Sequence, residues 1–486
     1  MLYYISVTTE ASRLRIKFPP ITKSGRIKMW NEMGGYKEAI LLALPLILSS
    51  SSTLILQLID RLFLTWYSPL ALAGSSSAGM MAWTLQSFFI AVFGYTAVFV
   101  AQYNGAKKHN DAVIIVRQAI IMSIIVGILI IPLSGIGNSV FTFMEHEENL
   151  STIEDAVFRI FMYPAMVPFI LNSIAGYFIG YGRTNIILIG TVIAMVANII
   201  LDYLFIFGIP GLLPAYGAAG AAVATIIAQF FTVIFYLILF LKSDKVMSCS
   251  GGWAPSLSVI KRLFHYGAPN GVYMSIEALA WTFIQLVFGR IGAVQLGASA
   301  LAFMLNAIAW FPILGLSQGT SVMIGKYIGA KKRYLATRAF WANLHIALLL
   351  TFFAGLLFIF IPHLLLLPFG AKANPAEFKE VKDLTIILLR YVAVYCFIDS
   401  LYVVCASTLK GAGDVKFVML ISITCSLLVL ALPVYIVSSL FAESPNLIHY
   451  IWIIITVMVF VQGVLMFLRV LSGKWKDKSV INENLI

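Results

Sequence analysis

Four carboxylates, Asp60, Asp202, Glu277 and Asp399, stand inside stretches of the 486-residue chain that are otherwise almost wholly apolar. A carboxylate at the centre of a membrane helix costs about 2.5–3.5 kcal/mol on insertion scales, so four uncompensated ones would cost on the order of 10 kcal/mol. Acids kept at that cost usually face a cavity, where they bind protons, metal ions or cationic organic groups. The neighbouring residues extend this chemistry. Asn198 and Asp202 are four residues apart, as are Tyr273 and Glu277, and Tyr395 and Asp399, so each pair shares one helix face. Arg61 follows Asp60 directly, but adjacent residues on a helix do not face each other. Counting from the nearest loops puts Asp60 and Asp202 at similar depth, and puts Glu277 and Asp399 near the middle of their spans. The pattern predicts one acidic cluster in each half of the chain.

The elements that hold these residues follow from composition. Hydrophobic residues make up 60% of the chain and charged residues 11%, with a mean hydropathy of +0.94. Soluble domains carry about 25% charged residues. Only a bilayer needs this much apolar surface on closed helices. Apolar runs of spanning length fall at 39–66, 70–102, 112–138, 156–181, 185–208, 217–241, 261–289, 294–325, 336–368, 384–409, 416–442 and 447–471. Strand-type alternation is absent, which disfavours a β-barrel. The predicted fold class is therefore an all-α polytopic membrane protein of about twelve helices.

Lysine and arginine orient it. Of 33 such residues, 26 fall in segments on the side of the N-terminus, 5 on the other side, and Arg61 and Arg390 within spans. Both termini are accordingly expected in the cytosol, in a multi-pass protein of the cell membrane. The net charge of +12 reports this orientation and gives no reason to expect nucleic-acid binding.

The chain also repeats itself. Gly105-Ala106-Lys107-Lys108 recurs as Gly329-Ala330-Lys331-Lys332, a shift of 224 that also maps Pro45 onto Pro269, Thr96 onto Thr320 and Tyr103 onto Tyr327. Gly180-x-Gly182 recurs as Gly411-x-Gly413 at a shift of 231. Six helices per repeat return the chain to its starting side, so the halves are parallel repeats, and transporters of this build place substrate between them. The expected organisation is a basic leader (1–37), an N-lobe (38–241), a linker (242–260), a C-lobe (261–472) and a tail (473–486). The acids are not copies of one another. Position 53, which is 224 before Glu277, is Thr53, and position 168, which is 231 before Asp399, is Pro168.

Other chemistries find no support in the residues. There is no phosphate loop of the G-x-x-x-x-G-K-[ST] type, so ATP-driven export is not expected. The cysteines at 249, 396, 405 and 425 have neither disulfide nor zinc spacing, and no cofactor or enzymatic activity is expected. His345 and Arg390 are read as structural, the GAKK lysines as snorkelling interface residues, and Trp281 and Trp310 as packing or cavity-lining aromatics.

The stretches LALPLILSSSSTLILQLIDRLFL, GYGRTNIILIGTVIAMVANIILDYLFIFG with YGAAGAAVAT, and FIDSLYVVCASTLKGAGD resemble the multidrug and toxic compound extrusion (MATE) exporters of the NorM type, over roughly residues 37–472. The resemblance implies a two-lobe fold and secondary antiport, in which Na⁺ or H⁺ enters while an amphiphilic, often cationic compound leaves. It assigns Asp60, Asn198, Asp202 and Thr225 to an N-lobe cation or proton site, with Na⁺ held at Asp60, Asn198 and Asp202. It assigns Glu277, Tyr395 and Asp399, beside Tyr273, to a C-lobe site for cation or substrate. Which lobe couples is left open. The partners implied are small molecules and the bilayer, and a monomer is expected. With four embedded acids, the central cavity is expected to be net negative. A flippase for lipid-linked or polysaccharide precursors would instead present cavity arginines to an anionic cargo. An intramembrane enzyme would need a compact catalytic pair, whereas these acids are spread over four helices.

Overall fold

The computed structural model describes residues 29–143, 147–370 and 375–481; residues 1–28 of the basic leader and 482–486 of the tail lie outside the described residues. The spans run in chain order as α1 (Tyr36–Tyr67), α2 (Pro69–Gly105, interrupted at Tyr95), α3 (His109–Leu129), α4 (Glu148–Met162 continued by Met166–Gly180), α5 (Thr184–Phe207) and α6 (Gly217–Leu241). The second half runs as α7 (Leu257–Ile291), α8 (Ala293–Gly329), α9 (Arg333–Phe360), α10 (Pro375–Ala412), α11 (Val415–Leu440) and α12 (Leu447–Leu471). Eleven are long and apolar enough to cross a membrane alone, and the pair forming α4 makes a twelfth span bent by 42°. Pro164 sits in that bend, where it cannot supply an N–H to a continuing helix. Among the described residues the fold is helical, with one isolated bridge between Ile209 and Leu213.

The duplication extends to the backbone. Lys107 and Lys331 both adopt positive φ, 60° and 58°, and so do Gly182 and Gly413, 74° and 99°. Each closes a helix end in the same way. Lys108 N–H donates to Tyr103 O at 2.9 Å, Lys332 N–H to Tyr327 O at 2.9 Å, Arg183 N–H to Phe178 O at 2.8 Å, and Asp414 N–H to Leu409 O at 2.8 Å. A left-handed residue followed by this six-to-one bond satisfies the last helical carbonyls.

The lobes meet crosswise. The first helix of each packs on the second helix of the other, α1 on α8 and α7 on α2. At the end where the described chain begins and stops, the two GAKK motifs abut. A Cβ on Gly105 would overlap the carbonyl of Lys326, and a Cβ on Gly329 would overlap that of Gln102. The glycines are thus needed for close helix approach. The closure rests on the glycines, while the four lysines of the two motifs, expected to snorkel, are exposed at this end. Away from the seam, α5 presents Ile189, Ile193, Val196 and Ile200 outward as one apolar stripe, as a helix against lipid must.

Candidate functional site

In the N-lobe, α1 packs along α5 and brings Asp60 to Asp202, within hydrogen-bonding reach of each other's carboxyl groups, with the Asn198 amide beside Asp202. Asp202 and Asn198 are fully buried, at 0% and 1% exposure, and Asp60 is half-buried. None of this is satisfied by ordinary hydrogen bonds. Asp60 Oδ1, both carboxyl oxygens of Asp202 and both amide atoms of Asn198 lack a partner. Two facing carboxylates cannot both stay charged in a dry site without a compensating proton or cation. Thr225 on α6 spends its hydroxyl proton on the Ala221 carbonyl, 3.0 Å away. Such a back-bond leaves the oxygen lone pairs free to ligate. The donors are hard oxygens of the kind that suit an alkali or alkaline-earth cation.

The C-lobe is arranged differently. Glu277 on α7 accepts a 2.7 Å hydrogen bond from the Tyr402 hydroxyl, and the Tyr273 hydroxyl oxygen lies 3.1 Å from the Tyr402 hydroxyl oxygen. Lys410 lies close enough to Glu277 to act on its charge, with its ammonium 4.6 Å from the centre of the Tyr273 ring. Asp399 lies near Glu277. A cavity of about 10 Å³ opens beside Glu277, bordered by Trp281 and Ser426, which is room for about one water. Ser426 and Leu430 reach it from a π-helical stretch of α11, Cys425–Ala431.

Sequence reasoning misses two members of this cluster. Tyr395, expected with Asp399, lies close enough to feel its charge, packs its ring against Trp452 at 6.3 Å between ring centres, and has a hydroxyl without a partner. Tyr402 holds Glu277. A signal for it exists: Tyr402 lies three residues beyond Asp399 and so falls on its face. Lys410 falls among the interface lysines by position, although it lies on the same helix. Of the other residues singled out, His345 Nδ1 hydrogen-bonds Tyr36 at 2.7 Å, Arg390 is exposed, and Trp310 packs in the C-lobe core.

Between the lobes, at the end opposite the GAKK contact, a cleft of about 310 Å³ separates α1 from α7 and α8. Its polar lining is Gln57, Arg61, Gln285 and Ser299, set among Phe288, Phe303 and Phe311. The cavity was expected to be net negative; among the described residues, the charged group lining this cleft is Arg61. The acids lie behind the walls, inside each lobe.

A family model, MatE, matches residues 45–204 and 269–437, one stretch in each lobe. A probable multidrug resistance protein NorM of Agrobacterium fabrum is 26% identical over 394 residues, covering 78% of this chain and 82% of that protein. Its counterpart in Thermotoga maritima is 25% identical over 460 residues, covering 93% and 95%. Among solved structures, a MOP superfamily transporter from Pyrococcus furiosus, described as having a binding pocket of reverse polarity, superposes with a TM-score of 0.82 at 20% identity, covering 94% of this chain and 99% of that one. That likeness shows the same fold.

Proposed function

The chain belongs to the MatE family of membrane transporters, and from that premise we propose that it exports amphiphilic small molecules across the cell membrane in exchange for an entering cation. The NorM relatives carry multidrug resistance in their names, and the absence of an ATP-binding motif from the sequence favours an ion gradient as the energy source. The lysine bias puts the closed GAKK end in the cytosol, so the cleft opens outward.

One observation carries the coupling: the contact of Asp60 with Asp202, with Asn198 unsatisfied beside them. A Na⁺ or H⁺ entering there removes the repulsion between α1 and α5. An ion that binds one conformation better than the other shifts the balance between them by that difference in affinity. Because α1 also lines the drug cleft through Gln57 and Arg61, its movement links ion and cargo. The cargo is read as cationic or neutral, reaching the Glu277 and Asp399 cluster when the lobes rearrange.

A second reading, a flippase for an anionic lipid-linked precursor, is favoured by Arg61 in the cleft. Purified protein in proteoliposomes, given separately imposed Na⁺ and pH gradients, decides. Dye export driven by either gradient supports antiport. Movement of an anionic lipid with no response to either gradient would replace it.

A further inference from the structure

The lobes are joined at the GAKK end in two unlike ways. The covalent linker after α6 stays on the N-lobe. Arg117 on α3 donates to the carbonyls of Cys249 and Gly251 and, at 3.0 Å, to that of Val246. Gln118 donates to Gly252 and Ala254 at 2.8 Å each and accepts from Ser256 N–H. The chain leaves this hold only at Leu257, where α7 begins. The segment after α12 behaves otherwise. Its Trp475 is wholly buried in the C-lobe core, and Asp477 pairs with Arg333 of α9. Within a few residues it has crossed the seam, and Val480, at 0% exposure, is buried in the N-lobe core.

The crossing is held by hydrogen bonds on both sides. Gln102 on α2 accepts from Ser479 Oγ at 2.8 Å and from Val480 N–H at 2.9 Å, while its own amide donates to Gly411 O at 2.9 Å on α10. Tyr266 at the start of α7 donates to Ser479 O at 3.2 Å. Gly413 lies against Val480 so closely that a Cβ there would touch its side chain. One glutamine thus joins the N-lobe, the C-lobe and the terminal segment at the point where the lobes must part for this end to open.

We propose that residues 474–481 form a latch across the lobe seam, anchored by Trp475 in the C-lobe, and that withdrawal of Ser479 and Val480 from Gln102 is required each time the closed end opens. The linker cannot serve this purpose, because it is covalent and held to one lobe. The terminal segment can let go at its N-lobe end while Trp475 keeps it in place to re-engage. The latch depends on the export reading only for its role in transport; opening of the end is measured separately.

Two measurements test it. Spin labels at Asn110→Cys and Tyr334→Cys, both exposed on opposite lobes at this end, report the lobe separation in the full chain. Removal of residues 479–486, or Val480→Ser in the full-length chain, is expected to shift the distance distribution toward longer separations. A distribution unchanged in whichever of the two variants folds overturns the latch. In the second measurement, cysteines at positions 102 and 479 are bridged by a short, reducible thiol-specific cross-linker. Bridging is expected to hold the spin-label distance at its short value and to stop dye export, with both restored by reductant. Export at the unbridged rate while bridged would also overturn it. If no dye is exported by any form, the export reading fails while the distance measurement still judges the latch.

Discussion

Asp60 meets Asp202 with no hydrogen bond to either oxygen of Asp202 and with Arg61 acting on the Asp60 charge, whereas Glu277 accepts from a tyrosine hydroxyl and lies within reach of Lys410. Both clusters sit on the first helix of their lobe and on one later helix, α5 in the N-lobe and α10 in the C-lobe. The lobes are copies in their cap geometry and in their GAKK contacts, yet Thr53 and Pro168 occupy the N-lobe positions equivalent to Glu277 and Asp399. Duplication therefore supplied the frame, and each lobe acquired its own acids. Each cluster sets two acids beside one base, so charge alone does not separate them; an acid oxygen already hydrogen-bonded by a protein hydroxyl has little left for an ion to bind. A cluster of facing carboxylates with an idle amide does. On the proposed antiport, this difference makes the N-lobe cluster the one expected to take the coupling ion, and the variants below test that expectation.

The largest effect should come from Asp202→Asn. Removing one of two facing carboxylates takes away the differential affinity by which the ion shifts conformation. Ion-driven dye export should fall on the order of 100-fold, within the usual range of coupling energies, with membrane expression unchanged. Glu277→Gln should reduce gradient-driven export far less. Proteoliposome flux under imposed Na⁺ and pH gradients separates the two, and equal losses in both variants would erase the distinction between lobes.

Stability should move in opposite directions. Glu277→Gln leaves Lys410 without its charge partner and weakens the Tyr402 hydrogen bond, at a cost of about 1–3 kcal/mol. Adding Lys410→Met should recover part of that loss, since neighbours of this kind do not add independently. Asp60→Asn removes a like-charge contact and should raise the melting temperature in detergent. Matching signs for the two single variants would mean that the N-lobe pair is compensated after all.

Where the lobes are true copies, they should respond alike. Gly105→Ala and Gly329→Ala each force a methyl into a facing carbonyl, and each should destabilise the closed end by about 1–3 kcal/mol, as overpacking does. Thiol labelling at that end, compared between the two variants, checks both the size and the equality.

Much of this architecture is legible in the amino-acid order. Hydropathy marks the spans because lipid forces long apolar helices, and the shift of 224 marks the lobes because each repeat must fold as a unit. Asp60, Asn198 and Asp202 stand out because an acid in an apolar span needs a reason. Tyr402 and Lys410 do not: a face search at a spacing of four residues finds Tyr395 and passes over Tyr402 at a spacing of three, and a lysine near a span end reads as an interface charge. The terminal latch is hidden for a different reason. Gln102 and Val480 are 378 residues apart, and no local pattern records which carbonyl a buried glutamine will meet. The polarity of the cleft likewise depends on which faces turn together, whereas the bend in α4 has a local mark in Pro164.

Arg61 gives the smallest effect, and one that tests the other half of the comparison. It stands next to Asp60 in sequence but is exposed in the cleft, so the acid turns toward Asp202 while the base turns into the cleft. If cargo passes this cleft, Arg61 repels a cationic headgroup and attracts an anionic one. Across a wet cleft a single charge several ångströms away contributes about 0.5–1 kcal/mol, which corresponds to roughly a two- to fivefold change in affinity. Arg61→Gln should tighten binding of a quaternary-amine dye by that factor and weaken binding of an anionic amphiphile by a similar one. Both shifts should shrink as salt is raised, because charges in solvent are screened within about a Debye length. Equilibrium binding with one cationic and one anionic amphiphile, at low and high ionic strength, reads all four values. Unchanged affinities for both would place the cargo elsewhere than this cleft. A large loss for the anion, with no binding of the cation in either form, would turn the cleft's polarity into its specificity and favour the flippase reading over drug export.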